Sequence, residues 1–307
     1  MDNKESKRQA RKKASKRKGD GDPVINSKKG KILKSKDNDS LYTCTFLVDV
    51  RIAEIEKLGE RYSHAIKLLK METHGCDSLM HFDYGPTVTH VYNPVDYAFK
   101  PHVEFYRKYC QETARVLLIG ENPGPFGGAQ TGIPFGDPKF VKEWLQIEEE
   151  VSAPDKQHPK RPISGFSSTR SEGSGTRLWT FLKSNFKTPE SFFSECFIYN
   201  YCPMIFMNES GGNVTPSTLP AAVRKPLMAV CDKELAEVIS SFPNCTLVVG
   251  IGRFTESRLK IICEKMERPP DIAYLNHPSP RNPEASKNWD LNAYNSFVDY
   301  NLIVKTQ

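Results

Sequence analysis

The 307-residue chain lacks any apolar run of about 18 residues, the length that a membrane-spanning helix requires. Its amino-terminal residues are highly charged and contain no apolar stretch of the kind found in secretory signals, so we expect neither a membrane span nor export. The eight cysteines form no CxxC pair and no Cys/His cluster with zinc or iron–sulfur spacing. We therefore expect free thiols in a reducing compartment, and neither a metal nor another cofactor.

Charge is unevenly distributed along the chain. Of 43 Lys and Arg and 37 Asp and Glu, residues 1–40 hold 14 basic and 6 acidic side chains, which leaves 29 basic and 31 acidic ones in 41–307. Residues 1–40 contain no aromatic side chain and cannot bury enough surface to offset the entropy cost of ordering. We expect a disordered basic tail over 1–40 and a single folded domain over 41–307.

Three functions fit the tail. Its basic clusters at 7–8, 11–13 and 16–18 favour a nuclear-import signal or an arm that binds phosphates without sequence preference. A purely solubilising tail is the third. Import predicts localisation to the nucleus, and it is compatible with phosphate contacts.

Past the tail, apolar segments of strand length alternate with helical patterns. The predicted strands lie at 115–120, 196–201, 246–250 and 272–275. The predicted helices lie at 48–70, 139–149, 175–186 (with Ser174 as a possible cap), 219–242, 254–267 and 287–300, and a surface loop is predicted at 152–176. Such alternation indicates an α/β domain whose parallel sheet is covered on both faces.

Three of these strands run directly into polar segments rich in Gly and Pro. The segments are 120–128 (GENPGPFGG), 200–203 (NYCP) and 276–283 (NHPSPRNP). Ligands of open parallel sheets bind beyond the carboxyl ends of the strands. The topology therefore places Asn122, Asn200 and His277 at one rim of the sheet.

Each of these residues has an ordinary explanation when it is taken alone. Residues 120–128 match neither a Walker A loop nor G-x-G-x-x-G, and a tight turn explains their glycines. His277 and Asn200 would be surface, core or turn residues, and Phe135 a core aromatic. A tight turn does not explain the polar Asn122, which stands between a buried strand and a rigid Pro-Gly-Pro segment that suits a side chain aimed at water or substrate. The combination indicates a site.

Several segments together resemble the single-strand-selective monofunctional branch of the uracil-DNA glycosylase superfamily. They are 92–98 (YNPVDYA), 122–127 (NPGPFG), 129–132 (AQTG), 134–136 (PFG), 158–162 (HPKRP), 200–203 (NYCP) and 277–283 (HPSPRNP). The resemblance implies a three-layer α/β/α fold with a central four-stranded parallel sheet. It also implies an enzyme that flips uracil and 5-modified uracils, such as 5-hydroxymethyluracil, out of single- or double-stranded DNA. The enzyme would hydrolyse the N-glycosidic bond and leave an abasic site, as a step of base excision repair.

The resemblance implies a role for each residue of the rim. Asn122 positions the attacking water, and His277 stabilises the departing base. Asn200 reads the uracil edge, Phe135 stacks on the flipped base, and the backbone at Gly124 approaches the pocket closely.

The chain departs from the family at Glu121. The family usually has Met at this position and lines the uracil site with its backbone. The new carboxylate either points away from the pocket or faces it. In the second case it would favour a protonated His277 and stabilise a cationic sugar.

Two segments resemble the DNA-contacting loops of the family. The loop at 279–283 is the expected wedge, with Arg281 filling the gap left in the duplex, and 210–224 is the other segment. The residues expected to contact DNA are Gly211, Asn213, Thr215, Pro216, Ser217, Arg224, Ser279, Pro280, Arg281 and Asn282. The implied partner is single- or double-stranded DNA, bound by a monomer and followed by enzymes that repair abasic sites.

Two alternatives stay open. The chain acts mainly on another deaminated or mismatched base, such as xanthine, hypoxanthine or mismatched thymine, or it is a catalytically silent DNA-binding module. The presence of Asn122 and His277 together argues against the silent module. No lysine is placed to form a Schiff base, so base removal is expected without strand cleavage.

Overall fold

A computed structural model of the protein describes residues 38–283 and 285–305. The helices are α1 (Asn38–Glu56), α2 (Ser63–Met80), α3 (Pro94–Tyr97), α4 (Phe99–Tyr109), α5 (Gly128–Thr131), α6 (Pro138–Glu143), α7 (Gly173–Asn185), α8 (Pro189–Phe193), α9 (Ala221–Ser241), α10 (Arg253–Cys263) and α11 (Ala285–Asp299). The strands are β1 (His90–Tyr92), β2 (Val116–Gly120), β3 (Cys196–Asn200), β4 (Ile205–Met207), β5 (Asn213–Val214), β6 (Leu247–Ile251) and β7 (Asp271–Leu275). The predicted tail, 1–40, lies outside the described residues apart from its last three, which begin α1.

The centre of the fold is a four-stranded parallel sheet in the order β3-β2-β6-β7. Strands β2 and β3 are buried at every position, as their continuous apolar sequences require, so helices cover both of their faces. Helix α10 packs on β6, and α2 packs on α9. The predicted four-stranded α/β fold is confirmed.

A second, smaller sheet was not predicted. It is antiparallel, in the order β1-β4-β5, and it pairs His90 with Met207 and Phe206 with Val214. Its strands are two or three residues long, which is too short for an alternating pattern to be recognised in the sequence. Strand β4 follows shortly after β3, so this sheet extends from the rim where the candidate site lies.

Three predictions about helices are wrong in detail. The single helix predicted at 48–70 is two helices, α1 and α2, because Gly59 adopts a left-handed φ of 86° between them. The helix predicted at 139–149 is only the six-residue α6. The proposed cap Ser174 lies inside α7, which is preceded by Glu172 as its N-cap residue. Among the described residues, no helix is long and apolar enough to cross a membrane.

Candidate active site

The carboxyl ends of β2 and β3 bring the predicted site residues together. Gly120 pairs with Asn200 in the sheet register. A Cβ atom placed on Gly120 would lie 2.7 Å from Asn200 Oδ1 and 2.8 Å from Phe135 Cε2, so only glycine fits there. The ring centroids of Phe135 and His277 are 6.3 Å apart. The predicted convergence at one rim agrees with the structure: Asn200, Phe135 and His277 lie beside one another there, and we call the site that they form the pocket.

The carboxamide of Asn122 has a fixed orientation. Its Nδ2 donates to the main-chain carbonyl of Met204 at 3.2 Å. Because the amide nitrogen is engaged, the Oδ1 atom remains as the acceptor. The side chain can therefore hold a donor, such as a water molecule, in a defined position beyond β2.

The side chain of Asn200 keeps its hydrogen-bonding groups open at the rim. The residue is only 5% exposed, and its carboxamide makes no hydrogen bond to any residue in 38–283 or 285–305. Its polar atoms are not among the fully buried atoms that lack a partner, so water or a ligand can reach them. A ligand that offers both a donor and an acceptor can bind both groups of the amide.

Phe135 has a strained backbone that its neighbours stabilise. Its φ is 56°, in the left-handed region that aromatic residues rarely adopt. Its carbonyl accepts from the amide of Asp137 at 2.7 Å and from Trp179 Nε1 at 2.8 Å. Gly175 packs directly against this carbonyl and has no room for a side chain. The turn therefore presents the Phe135 ring in one conformation.

A buried pair, His102 and Glu72, supports the turn that carries Phe135. His102 Nδ1 lies 2.6 Å from the carbonyl of Gly132, and its Nε2 lies 2.9 Å from Glu72 Oε2. Burial alone would lower the pKa of His102, but the charge and hydrogen bond of Glu72 and the carbonyl of Gly132 outweigh it and raise the pKa. Both ring nitrogens face oxygen acceptors, so the ring can donate from both, and Glu72 also accepts from the Tyr106 hydroxyl at 2.7 Å.

The sequence analysis missed this pair, although one signal for it exists. The buried positions of α2 form a stripe at helical spacing, and Glu72 falls on that stripe between Leu68 and Cys76. An acidic residue on an apolar helix face must have a partner inside the protein. Glu234 occupies the same kind of position in α9, where burial first and then Glu72 raise its pKa to about 8.

His277 is a neutral hydrogen-bond donor in this structure. The backbone N–H of Ser279 donates to its Nδ1 at 3.1 Å, so a neutral ring carries its proton on Nε2. Burial lowers the pKa of His277 to about 4. Of the two orientations left open for the Glu121 carboxylate, the structure does not show the one that favours a protonated His277.

The carboxylate of Glu121 instead binds the loop that follows β5. Its Oε1 accepts from the backbone N–H of Ser217 at 2.8 Å. Its main-chain carbonyl accepts from the amide of Cys202 at 3.0 Å, which continues the β2–β3 pairing. The backbone of residue 121 thus stays at the rim, and its side chain anchors a loop expected to contact DNA.

A second carboxylate near the rim was not predicted. The side chain of Glu172 fills the space where a Cβ atom on Gly124 would lie. Its Oε2 is buried and has no hydrogen-bond partner among the described residues. Burial raises the pKa of Glu172, while the amides of Phe126 and Ser174 act in the opposite direction. Gly124 therefore lies in close contact with Glu172, and its approach to the base pocket stays a prediction.

The predicted wedge is exposed at its tip and braced at its base. Pro280 and Arg281 are exposed. A Cβ atom on Gly173 would lie 2.8 Å from Pro280 Cγ, so α7 begins directly against the loop. Arg177 Nη1 donates to the carbonyl of Pro278 at 3.1 Å. Asn282 Nδ2 donates to Asn276 Oδ1 at 2.6 Å, which closes the base of the loop.

The other predicted DNA-contacting segment has both exposed and structural members. Asn213 is exposed, whereas Gly211 and Pro216 are buried and shape the loop. Arg224 Nη1 donates to the carbonyl of Ser217 at 2.9 Å, so this guanidinium stabilises the loop.

The hydroxyl of Thr215 lies 2.8 Å from that of Ser217. Both residues are partly exposed, as are Ser279 and Asn282 in the wedge loop. The structure thus places the two predicted DNA-contacting segments beside the pocket, one anchored through Glu121 and the other braced by α7.

Comparison with known proteins agrees with this architecture. Residues 107–299 match the model of the uracil DNA glycosylase superfamily. The single-strand selective monofunctional uracil DNA glycosylase of Bos taurus is 40% identical over 227 residues, which cover 74% of this chain and 83% of the relative. The rat protein of the same name (Rattus norvegicus) is 42% identical over 213 residues, 69% of this chain and 76% of the relative.

Solved structures give the same fold. The crystal structure of wild-type SMUG2 from Pedobacter heparinus has a TM-score of 0.55 and 20% identity, and the match covers 74% of this chain and 98% of that chain. At this identity the likeness concerns the fold alone. The family match and the relatives at 40% identity carry the assignment further: this chain belongs to the uracil-DNA glycosylase superfamily.

Proposed function

We propose that this protein removes uracil and 5-modified uracils from DNA by hydrolysis of the N-glycosidic bond and leaves an abasic site. The observation that carries this proposal is the carboxamide of Asn200, which has no hydrogen-bond partner among the described residues and lies beside the Phe135 ring, next to the neutral His277. The set offers an aromatic face, an amide edge and an N–H donor. These are the contacts that a flipped pyrimidine needs.

Base identity would be read by Asn200. Its Oδ1 can accept from N3–H of uracil while its Nδ2 donates to O4. Cytosine presents an acceptor and an amine at these positions, so both buried groups would lose their partners, a mismatch that discriminates strongly. A substituent on C5, as in 5-hydroxymethyluracil, leaves N3–H and both carbonyls unchanged, so the same contacts accept it.

The chemistry would follow from His277 and Asn122. Cleavage develops negative charge on the leaving base and positive charge on the sugar. The Nε2–H of neutral His277 would donate to O2 of the departing base and stabilise the charge as it grows. Asn122 Oδ1 would orient water without deprotonating it, because an amide is not a strong base.

DNA would be bound around the pocket. The base must leave the stack, at a cost of a few kcal/mol, and Arg281 on its braced loop would fill the vacated space. The function applies to single- and double-stranded DNA, since a single strand requires no wedge. We further propose a monomer that acts in the nucleus, directed by the basic tail, and whose abasic product passes to downstream repair enzymes.

A base-release assay tests the proposal. Oligonucleotides that carry uracil, 5-hydroxymethyluracil, xanthine, hypoxanthine or mismatched thymine are incubated with the full chain and then cleaved with alkali. We expect release of uracil and 5-hydroxymethyluracil, with strand breakage only after alkali. Preferential release of another base would replace the proposed substrate, and no release from any oligonucleotide would favour the silent DNA-binding module.

A further inference from the structure

Two arginine side chains converge on one aromatic ring at the rim. The guanidinium carbon of Arg170 lies 3.8 Å from the centroid of Phe126, and that of Arg161 lies 5.0 Å from it. Phe126 belongs to the turn that carries Asn122. We call these three residues the Phe126 cluster.

The two positive charges of the cluster are not neutralised by an ion pair among the described residues; the Glu172 carboxylate accepts instead from the backbone amide of Phe126. Neither Arg161 nor Arg170 has an ion-pair partner in 38–283 or 285–305, and Arg161 Nε is buried without an acceptor there. Other arginines of the same part of the chain do form ion pairs with carboxylates: Arg51, Arg107, Arg115, Arg253 and Arg258. Stacking on Phe126 offsets part of the repulsion between two like charges. An anion bound by either guanidinium would offset the rest.

The cluster lies between the two loops that are expected to contact DNA. A Cβ atom on Gly211 would lie 3.3 Å from Lys160 Cβ, so the loop before β5 packs against the neighbour of Arg161. On the other side, Arg170 is three residues before Gly173, which contacts Pro280 of the wedge. The positive charges of Arg161 and Arg170 therefore lie on the rim between the two loops that are expected to contact DNA.

We propose that the Phe126 cluster binds phosphates of the DNA strand that continues from the flipped nucleotide. Guanidinium groups bind phosphate oxygens through paired N–H donors, and Arg170 is exposed with no hydrogen bond to the described residues, so its donors are available. This inference rests on the proposed function. The cluster would raise the affinity for DNA and extend the length of strand that is bound. It would take no part in the chemical step.

Salt-dependent binding tests the cluster. The full chain and its Arg170→Gln and Arg161→Gln/Arg170→Gln variants are titrated with a labelled single strand that contains a stable abasic analogue, at several salt concentrations. We expect the slope of log affinity against log salt to fall by about 0.7 for each phosphate that a variant no longer binds. The rate of uracil release at saturating enzyme should stay within about twofold of wild type, because the chemical groups are untouched.

Matched variants separate a specific interaction from general electrostatics. Arg268→Gln removes the same charge from an exposed residue just before β7, at the opposite end of the sheet, and should leave the slope unchanged. Arg170→Lys keeps the charge and should keep most of the slope. Equal slopes for Arg170→Gln and Arg268→Gln would overturn the cluster, as would wild-type binding by the double variant. Failure of wild type to release uracil would instead overturn the proposed function, whatever the binding data show.

Discussion

The base pocket and the loops around it differ in burial and in charge. In the pocket, Asn200 is buried and uncharged, His277 is neutral, and strand ends or short turns fix their positions. Around it, Arg170 and Arg281 are exposed and positively charged on longer connections. Fixed neutral groups act on a transition state without reorganisation, whereas exposed charges act on a polyanion at a distance and are screened by salt. Changes in the pocket should therefore alter the rate, and changes in the loops should alter the affinity.

The largest expected effect comes from the two groups assigned to the chemical step. Asn122→Ala removes the acceptor for water, and His277→Leu removes the donor for the leaving base. Each should lower single-turnover uracil release by at least about 100-fold and leave DNA binding measurable. If either variant releases uracil at nearly the wild-type rate, the assignment of the pocket is wrong.

A smaller reduction in rate is expected from a substitution of His102, which supports the turn that carries Phe135. His102→Gln removes the charged donor to Gly132, three residues before Phe135, so the stacking ring loses part of its support. We expect about a tenfold lower rate at saturating enzyme, with unchanged affinity for abasic DNA. Tyr106→Phe is the matched control, because it removes a donor to Glu72 and leaves the bond to Gly132 in place. Equal reductions in both variants would indicate a general effect on stability.

The smallest effect is expected at the boundary between the two regions. Glu121→Met restores the usual residue of the family and removes the acceptor for the Ser217 amide. The loop after β5 should become less ordered, with DNA affinity lowered about threefold to tenfold and the rate nearly unchanged. A change in rate without a change in affinity would show that the carboxylate acts on the pocket.

Much of this architecture could be predicted because it depends on strong local patterns. The buried strands are continuous apolar segments, and parallel topology alone places Asn122, Asn200 and His277 at one edge. The antiparallel sheet escaped prediction because its strands are two or three residues long. The helix expected at 48–70 was wrong because the backbone conformation of Gly59 is not visible in the apolar spacing.

The supporting residues of the site depend on contacts between distant segments. Glu172 closes on Gly124 from 48 positions away along the chain, and no local pattern indicates such a contact. The side-chain direction of Glu121 was open for the same reason. Glu72 could have been predicted to be buried, because the sequence places it on the apolar face of α2.

The central claim is that His277 acts as a neutral donor, and its pH dependence tests this most directly. With the pKa lowered to about 4 by burial, the ring is neutral throughout the physiological range and gains a proton only under acidic conditions. The single-turnover rate of uracil release should therefore be flat between about pH 6 and 8, a range that contains the ordinary pKa of histidine. A rate that falls about tenfold per unit as the pH rises above that value would show that the imidazolium is the active form, and would contradict the account.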